Sequence, residues 1–205
     1  MKKLLCDHSL DVQHLVRLET LYYAGSHSFD IAGPQGAPLH HQVGERFVPI
    51  LDDVEVALHR HLRHIDGVLI ERKAFSIAVH IRQIPTHRAS EVESWIDAIL
   101  SRESSLRKRY GKKVFELQPA IDWDKGRAGQ WLLRALSLEH PAVTPLYIGD
   151  DVTDEDAFLA LASIDSGIGI LVAASPRPTA AQFILRHPNE VQDFLQQLLW
   201  QIERD

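Results

Sequence analysis

The sequence predicts an α/β protein, and two observations support this prediction. In the last third of the chain, short apolar runs alternate with helical patterns, which is typical of a parallel sheet. In the middle third, strand and helix patterns are framed by Gly and Pro residues, which indicates a compact α+β unit. We therefore expect three segments, with boundaries close to the Gly33–Gly36 turn and Pro119: residues 1–36, 37–119 and 120–205.

The elements of the first two segments follow from apolar spacing and from Gly and Pro punctuation. They are, in order, a modest helix near 12–18, strands at 21–24 and 29–31, an amphipathic helix at 45–64, strands at 68–73 and 75–81, a helix capped by Ser90, and a strand at 114–117. The strands at 68–73 and 75–81 are consecutive, so we expect them to pair in antiparallel fashion. This pairing would form part of the sheet of the α+β unit.

The last segment repeats a strand-then-helix order. Its predicted elements are a helix after Asp124, a strand at 146–149, a helix opening among acidic residues, strands at 168–172 and 183–185, and a terminal helix beginning at Asn189 or Glu190. Because strands and helices alternate, we expect a parallel sheet here.

An acidic turn follows the strand at 146–149. Five carboxylates occupy the seven positions from Asp150 to Asp156, and Thr153 with Asp156 forms a capping-box pattern. Ligands bind at the carboxyl ends of strands in open α/β sheets, and adjacent carboxylates repel unless they share a cation or a proton. A hard divalent ion would suit them. The alternative is an acidic helix start favoured by the helix dipole, which accounts for residues 154–156 but not for Asp150 and Asp151.

A second candidate site residue, Lys125, lies between Asp124 and Gly126 at the start of a predicted helix. An ammonium group close to helix N-terminal amides suits the binding of phosphate or of a negatively charged intermediate. The alternative is a surface lysine in a turn. Together with a carboxylate pair for a divalent metal, however, this lysine supplies half of the apparatus for phosphoryl transfer.

Bulk composition excludes several classes of protein. The formal net charge of −6 disfavours a dedicated nucleic-acid binder, which needs a basic surface. The single cysteine excludes an intramolecular disulfide framework. The apolar run at the start is too short for a signal peptide, and no stretch is long and apolar enough to span a bilayer. We therefore expect a cytoplasmic protein.

Three motifs in order carry a resemblance to a known family. They are Tyr23–His27 (YAGSH), Trp123–Ala128 (WDKGRA) and Gly149–Phe158 (GDDVTDEDAF). In these motifs the chain resembles the trehalose-6-phosphate phosphatases of the haloacid dehalogenase-like superfamily. The resemblance implies an α/β fold, a partial Rossmann-like core (residues 1–36 and 120–205) with an inserted α+β cap domain at 37–119.

The resemblance also implies an enzyme that hydrolyses trehalose 6-phosphate to trehalose and phosphate with Mg²⁺ as cofactor. The cap would bind the sugar, and the core would act on the phosphate. Lys125 matches the phosphate-site lysine, and Asp150 matches the metal ligand, with Asp151 and Asp154 holding metal-bound water or orienting Asp150. The substrate-binding residues implied are Glu71, Lys73, Glu116 and His27.

The chain departs from the family pattern in two places. No Asp-x-Asp nucleophile motif stands at the end of a first strand, so we expect an amino-terminally truncated chain with little turnover alone. The alternatives are a non-catalytic sugar-binding or regulatory fragment, or one half of a split phosphatase. Partners would then be a separate amino-terminal fragment or trehalose-6-phosphate synthase. The second departure is Ser28, where the family usually has glycine; serine fits there unless the position needs a positive φ.

Overall fold

The computed structural model describes residues 4–6, 16–25, 28–34 and 39–204. The chain divides into two compact units, Met1–Asp122 and Trp123–Asp205. Most of the helix predicted near 12–18 lies outside the described residues, as does His27. A further division of the first unit near residue 36 stays a prediction.

The described elements are eleven strands, five α-helices and three 3-10 helices. The strands are β1 Leu4–Cys6, β2 Tyr22–Gly25, β3 Asp30–Ala32, β4 His40–Gln42, β5 Leu69–Arg72, β6 Ile77–His80, β7 Leu106–Gly111, β8 Val114–Pro119, β9 Leu146–Gly149, β10 Ile168–Val172 and β11 Phe183–Leu185. The α-helices are α1 Val48–Leu62, α2 Ala89–Leu100, α3 Lys125–Ala135, α4 Glu155–Ala162 and α5 Pro188–Ile202. The 3-10 helices are Glu45–Phe47, Thr86–Arg88 and Val152–Asp154.

The first unit contains two four-stranded sheets. In the sheet of order β1-β2-β3-β4, β1 pairs with β2 in parallel and the other pairs are antiparallel. The second sheet, of order β5-β6-β8-β7, is antiparallel throughout, so the predicted pairing of β5 with β6 is confirmed.

Alternation along the strands gives the second sheet two different faces. Apolar side chains on one face join apolar residues of α1 and α2 in a single buried core: Ile77, Val79, Phe115 and Leu117 from the strands, and Leu51, Val54, Leu58, Val92 and Ile96 from the helices. Residues directly opposite each other on paired strands point to the same side of a sheet. The register pairs Glu71 with Ala78 and Ala78 with Glu116, so these three share the other face.

Strands β1, β4 and β7 were not predicted, and the cap assigned to Ser90 is wrong. The 3-10 helix Thr86–Arg88 leads directly into α2, so that Arg88 precedes the helix and Ser90 already lies within its first turn. Strand β7 has a charged sequence, so its apolar pattern does not identify it as a strand. Its Lys108 side chain is only 11% exposed because it forms ion pairs with Glu93 (2.7 Å) and Asp97 (2.6 Å) on α2.

The second unit has a parallel three-stranded sheet of order β11-β10-β9, as predicted. Helix α4 contacts β9 and β10, and α3 packs against α4. Close packing of these helices requires Gly126, since a Cβ there would lie 2.3 Å from the carbonyl oxygen of Asp156. In the part of the chain that the structure describes, there is no helix long and apolar enough to cross a membrane.

Candidate functional site

The acidic turn between β9 and α4 is built by a capping box. Asp151 caps the 3-10 helix Val152–Asp154 with its side chain, and Asp154 reaches back to the Asp151 amide at 2.8 Å. The predicted box of Thr153 and Asp156 is therefore wrong. The chain forms this extra 3-10 turn before α4 begins at Glu155, which places the cap two residues earlier.

Four hydrogen bonds converge on the Asp154 carboxylate, whose side chain is only 4% exposed. One oxygen accepts from Lys125 Nζ and from the Tyr147 hydroxyl, both at 2.7 Å. The other accepts from the main-chain amides of Asp150 at 2.9 Å and Asp151 at 2.8 Å. Both oxygens are thus committed to protein donors, and Asp154 sets the shape of the turn.

These contacts determine the ionisation of Asp154. Burial is the largest influence and acts to raise its pKa. The hydrogen bonds from Lys125, the Asp151 amide and Tyr147, together with the Lys125 charge, outweigh burial and hold the pKa of Asp154 below the ordinary value of 3.8. The carboxylate is therefore ionised at neutral pH.

Gly149 makes room for this arrangement. A Cβ at this position would lie 2.4 Å from Cγ of Asp154 and 2.5 Å from its Oδ2, well inside van der Waals contact. Any other residue would displace the carboxylate that the two amides hold. Glycine is thus required at the end of β9 because the Asp154 carboxylate lies so close to the main chain there.

Lys125 reaches the turn from the first residue of α3. The Asp124 side chain caps that helix by accepting from the Arg127 amide at 2.8 Å. The Lys125 side chain is 19% exposed, so most of it is shielded from solvent while its ammonium pairs with Asp154. Lys125 and the acidic turn were expected to lie close together, and they are in contact within the second unit.

Three of the residues assigned to sugar binding, Glu71, Lys73 and Glu116, lie on the polar face of the second sheet, the face that carries Ala78. Lys73 Nζ contacts Glu116 Oε1 at 3.0 Å, and both side chains are 16% exposed. The Ser76 hydroxyl donates to the same glutamate oxygen at 3.3 Å. Glu71 contacts His80 Nε2 at 2.8 Å. The small Ala78 separates Glu71 from Glu116 in the register.

Comparisons with known proteins identify the family of this chain. The family model described as Trehalose-phosphatase matches residues 7–189. The chain belongs to the trehalose-phosphatase family. A rice relative, Probable trehalose-phosphate phosphatase 3 of Oryza sativa subsp. japonica, is 41% identical over 199 residues, which cover 90% of this chain and 54% of the relative. The chain thus spans about half the length of the curated relatives it matches.

Solved structures confirm the predicted fold class, because the α/β fold of this chain resembles those of a trehalose-6-phosphate phosphatase related protein and of a haloacid dehalogenase-like hydrolase. A trehalose-6-phosphate phosphatase related protein superposes with a TM-score of 0.77 at 21% identity, over 100% of this chain and 82% of that chain. A haloacid dehalogenase-like hydrolase from Bacteroides thetaiotaomicron gives a TM-score of 0.60 at 14% identity, over 86% of this chain and 76% of that chain.

In the acidic turn, Asp150 is the residue whose carboxylate could hold a metal ion. Asp151 already accepts from the Val152 amide at 2.7 Å and the Thr153 hydroxyl at 3.3 Å. Among the described residues, the exposed Asp150 carboxylate has no hydrogen-bond or ion-pair partner, and no cluster of three or more metal-ligating side chains occurs. Mg²⁺ keeps several waters and takes one or two carboxylates, so this donor set fits it.

Ser28 stands where the resemblance described above implies glycine. Its φ is 67°, in the left-handed region that favours glycine, and the residue is only 1% exposed. The position therefore has the positive φ that makes serine unfavourable.

Sequence reasoning missed Tyr147, Ser76 and His80, each of which contacts a predicted site residue. Tyr147 carries a usable signal, because it lies two residues before Gly149 and alternate residues of a strand share a side. Ser76 and His80 become visible only once the strand register is known.

Proposed function

We propose that this chain functions in the magnesium-dependent hydrolysis of trehalose 6-phosphate to trehalose and phosphate. The observation that supports this proposal most strongly is the contact of Lys125 with Asp154, whose other oxygen holds the Asp150 and Asp151 amides. This contact places Lys125, a cation suited to binding phosphate, beside the acidic turn, whose carboxylates are suited to binding a metal ion. Both lie in the second unit. Membership of the trehalose-phosphatase family supplies the substrate class.

The site residues of the second unit have the following proposed roles. Lys125 binds the negatively charged phosphoryl oxygens, and its contact with Asp154 holds the ammonium in one position. Asp150 would hold Mg²⁺, with Asp151 beside it on the same turn. When bound, the ion supplies positive charge that offsets the charge on the phosphoryl oxygens. Asp154 orients both the lysine and the Asp150 main chain.

Sugar binding is proposed for the polar face of the first unit. Glu71 and Glu116 present carboxylates, which can accept paired hydrogen bonds from vicinal hydroxyls. Lys73 orients Glu116 through their 3.0 Å contact. His27 is proposed to contribute as well, on the family resemblance alone.

The nucleophile is the part of the reaction to which we assign no residue. No Asp-x-Asp motif precedes Tyr23 among these 205 residues, and we propose a separate amino-terminal fragment as one partner that would supply the aspartates. Trehalose-6-phosphate synthase is a further proposed partner. Co-purification of either protein with this chain would support its role.

Phosphate release from a panel of sugar phosphates tests the proposed function. We expect release to require Mg²⁺, to favour trehalose 6-phosphate over sucrose 6-phosphate and glucose 6-phosphate, and to rise when the amino-terminal fragment is added. Lys125→Met and Asp150→Asn should abolish it, whereas the exposed Asp165→Asn in the same unit should not. Equal rates on all three substrates, or full activity in Lys125→Met, would contradict the proposal.

A second candidate is a non-catalytic sugar-binding or regulatory role, which would use the sheet face that carries Glu71, Lys73 and Glu116. Titration calorimetry with trehalose separates the two candidates when it is combined with the release assay. Trehalose binding without phosphate release in any mixture supports this second role. Absence of trehalose binding would contradict this second role.

A further inference from the structure

We propose that Arg177 and Glu155 are positioning residues that tie the loop between β10 and β11 to the acidic turn, and so direct the Asp150 carboxylate toward its ion. This inference rests on the proposed function, because it concerns the metal site assigned there. Neither residue belongs to the lysine and metal-ligand sets described above. Both ties join the same two segments, and the loop supplies the donors in each.

The first tie runs from the loop to the turn. Arg177 Nη2 donates to the main-chain carbonyl oxygen of Asp150 at 3.1 Å. The amide of Asp150 already donates to Asp154 at 2.9 Å. Both polar main-chain groups of Asp150 are therefore hydrogen-bonded, the amide to Asp154 and the carbonyl oxygen to Arg177. Because the side-chain direction follows from the main chain, these two bonds limit where the carboxylate points.

In the second tie, the side chain of Glu155 accepts from the loop. Glu155 is the first residue of α4, and its Oε2 accepts from the Ala180 amide at 2.8 Å and from the Thr179 hydroxyl at 3.1 Å. The same hydroxyl accepts from the Ala181 amide at 3.1 Å, which closes the loop on itself. Glu155 therefore anchors the segment that presents Arg177.

The ties have different chemical requirements, and this makes them separable. Arg177 acts through a donor and a positive charge close to the turn, so a side chain of similar length without either should fail. Glu155 acts through an acceptor oxygen, which glutamine retains and alanine lacks. Residues that orient metal ligands typically change metal affinity by roughly 10–100-fold when they are removed.

Binding of Mn²⁺ to the full chain, followed by electron paramagnetic resonance with Mg²⁺ as competitor, tests the inference. Mn²⁺ prefers the same oxygen ligands as Mg²⁺, and its free-ion signal falls on binding. We expect Arg177→Met and Glu155→Ala to weaken Mn²⁺ binding roughly tenfold. Glu155→Gln should stay within about twofold of wild type, since its amide oxygen can still accept from the Ala180 amide. Arg134→Met is the matched control, because Arg134 contacts Glu139 and no residue of the turn.

Each outcome supports or overturns the inference. Weaker binding in Arg177→Met and Glu155→Ala, with melting temperatures close to that of Arg134→Met, supports positioning. Unchanged Mn²⁺ affinity in both variants overturns it while leaving the proposed function intact. A loss in Glu155→Gln equal to that in Glu155→Ala overturns the acceptor role of Glu155. A wild-type chain that binds no Mn²⁺ overturns the metal assignment, and this inference with it.

Discussion

Replacing Asp154 with asparagine removes one charge while keeping the shape of the side chain. An amide offers a single acceptor oxygen, so the new side chain could satisfy either the Asp150 and Asp151 amides or Lys125 and Tyr147, but not both pairs. If the oxygen stays on the amides, the NH₂ group faces the Lys125 ammonium and the ion pair is lost. Breaking a charge-assisted contact of this kind costs about 3 kcal/mol, which is roughly 6–12 °C in melting temperature for a chain of this size.

The effect of this substitution should depend on pH with a defined sign. The pKa of Asp154 is lowered on folding, so its contribution to stability is complete above the unfolded value and is lost as pH falls through the folded value. The gap in melting temperature between wild type and Asp154→Asn should therefore be full at pH 7 and should narrow below about pH 4.

Thermal unfolding followed by circular dichroism between pH 3 and pH 7 measures both effects. Asp165→Asn is the control, since Asp165 is exposed in the same unit and its replacement should change the melting temperature little. Two results would contradict this account of the four hydrogen bonds. One is an equal melting temperature for Asp154→Asn and the wild type at pH 7, and the other is a difference in melting temperature that widens as pH falls.

Three other substitutions have defined outcomes. Gly149→Ala should displace the Asp154 carboxylate and lower the melting temperature by several degrees, because its Cβ would lie 2.4 Å from Cγ; an unchanged melting temperature would refute that clash. Ser28→Gly should raise the melting temperature by about 2–4 °C, since it relieves roughly 1 kcal/mol at φ 67°, and a decrease would show that the serine side chain outweighs this cost. Lys73→Met should weaken trehalose binding in titration calorimetry by misplacing Glu116, and unaltered affinity would remove Lys73 and its 3.0 Å contact from the sugar site.

The parallel sheet and its helices could be predicted because their signals are local. Strands β10 and β11 match their predicted limits, since each is a short apolar run bounded by polar or turn residues. Strand β7 could not be predicted in this way. Its charged residues are satisfied by partners on α2, which are distant in sequence and come close only in the fold.

The candidate site shows the same division between local and distant signals. Lys125 and Asp150 were identified from motifs at strand and helix junctions. The role of Asp154 was only partly foreseen, because its four donors come from three separate places in the sequence. The capping box was placed two residues late, since a 3-10 turn inserted before α4 leaves no mark in apolar spacing.

The proposed contact between Lys125 and the phosphate is most directly tested by titration calorimetry of trehalose 6-phosphate and trehalose in the presence of Mg²⁺. The wild-type chain should bind the phosphorylated sugar more tightly than trehalose. Lys125→Met should lose roughly 10–100-fold in affinity for trehalose 6-phosphate, the equivalent of one charge-assisted contact, and should bind trehalose as the wild type does. Equal affinity of wild type and Lys125→Met for trehalose 6-phosphate would contradict the assignment of Lys125 to the phosphate.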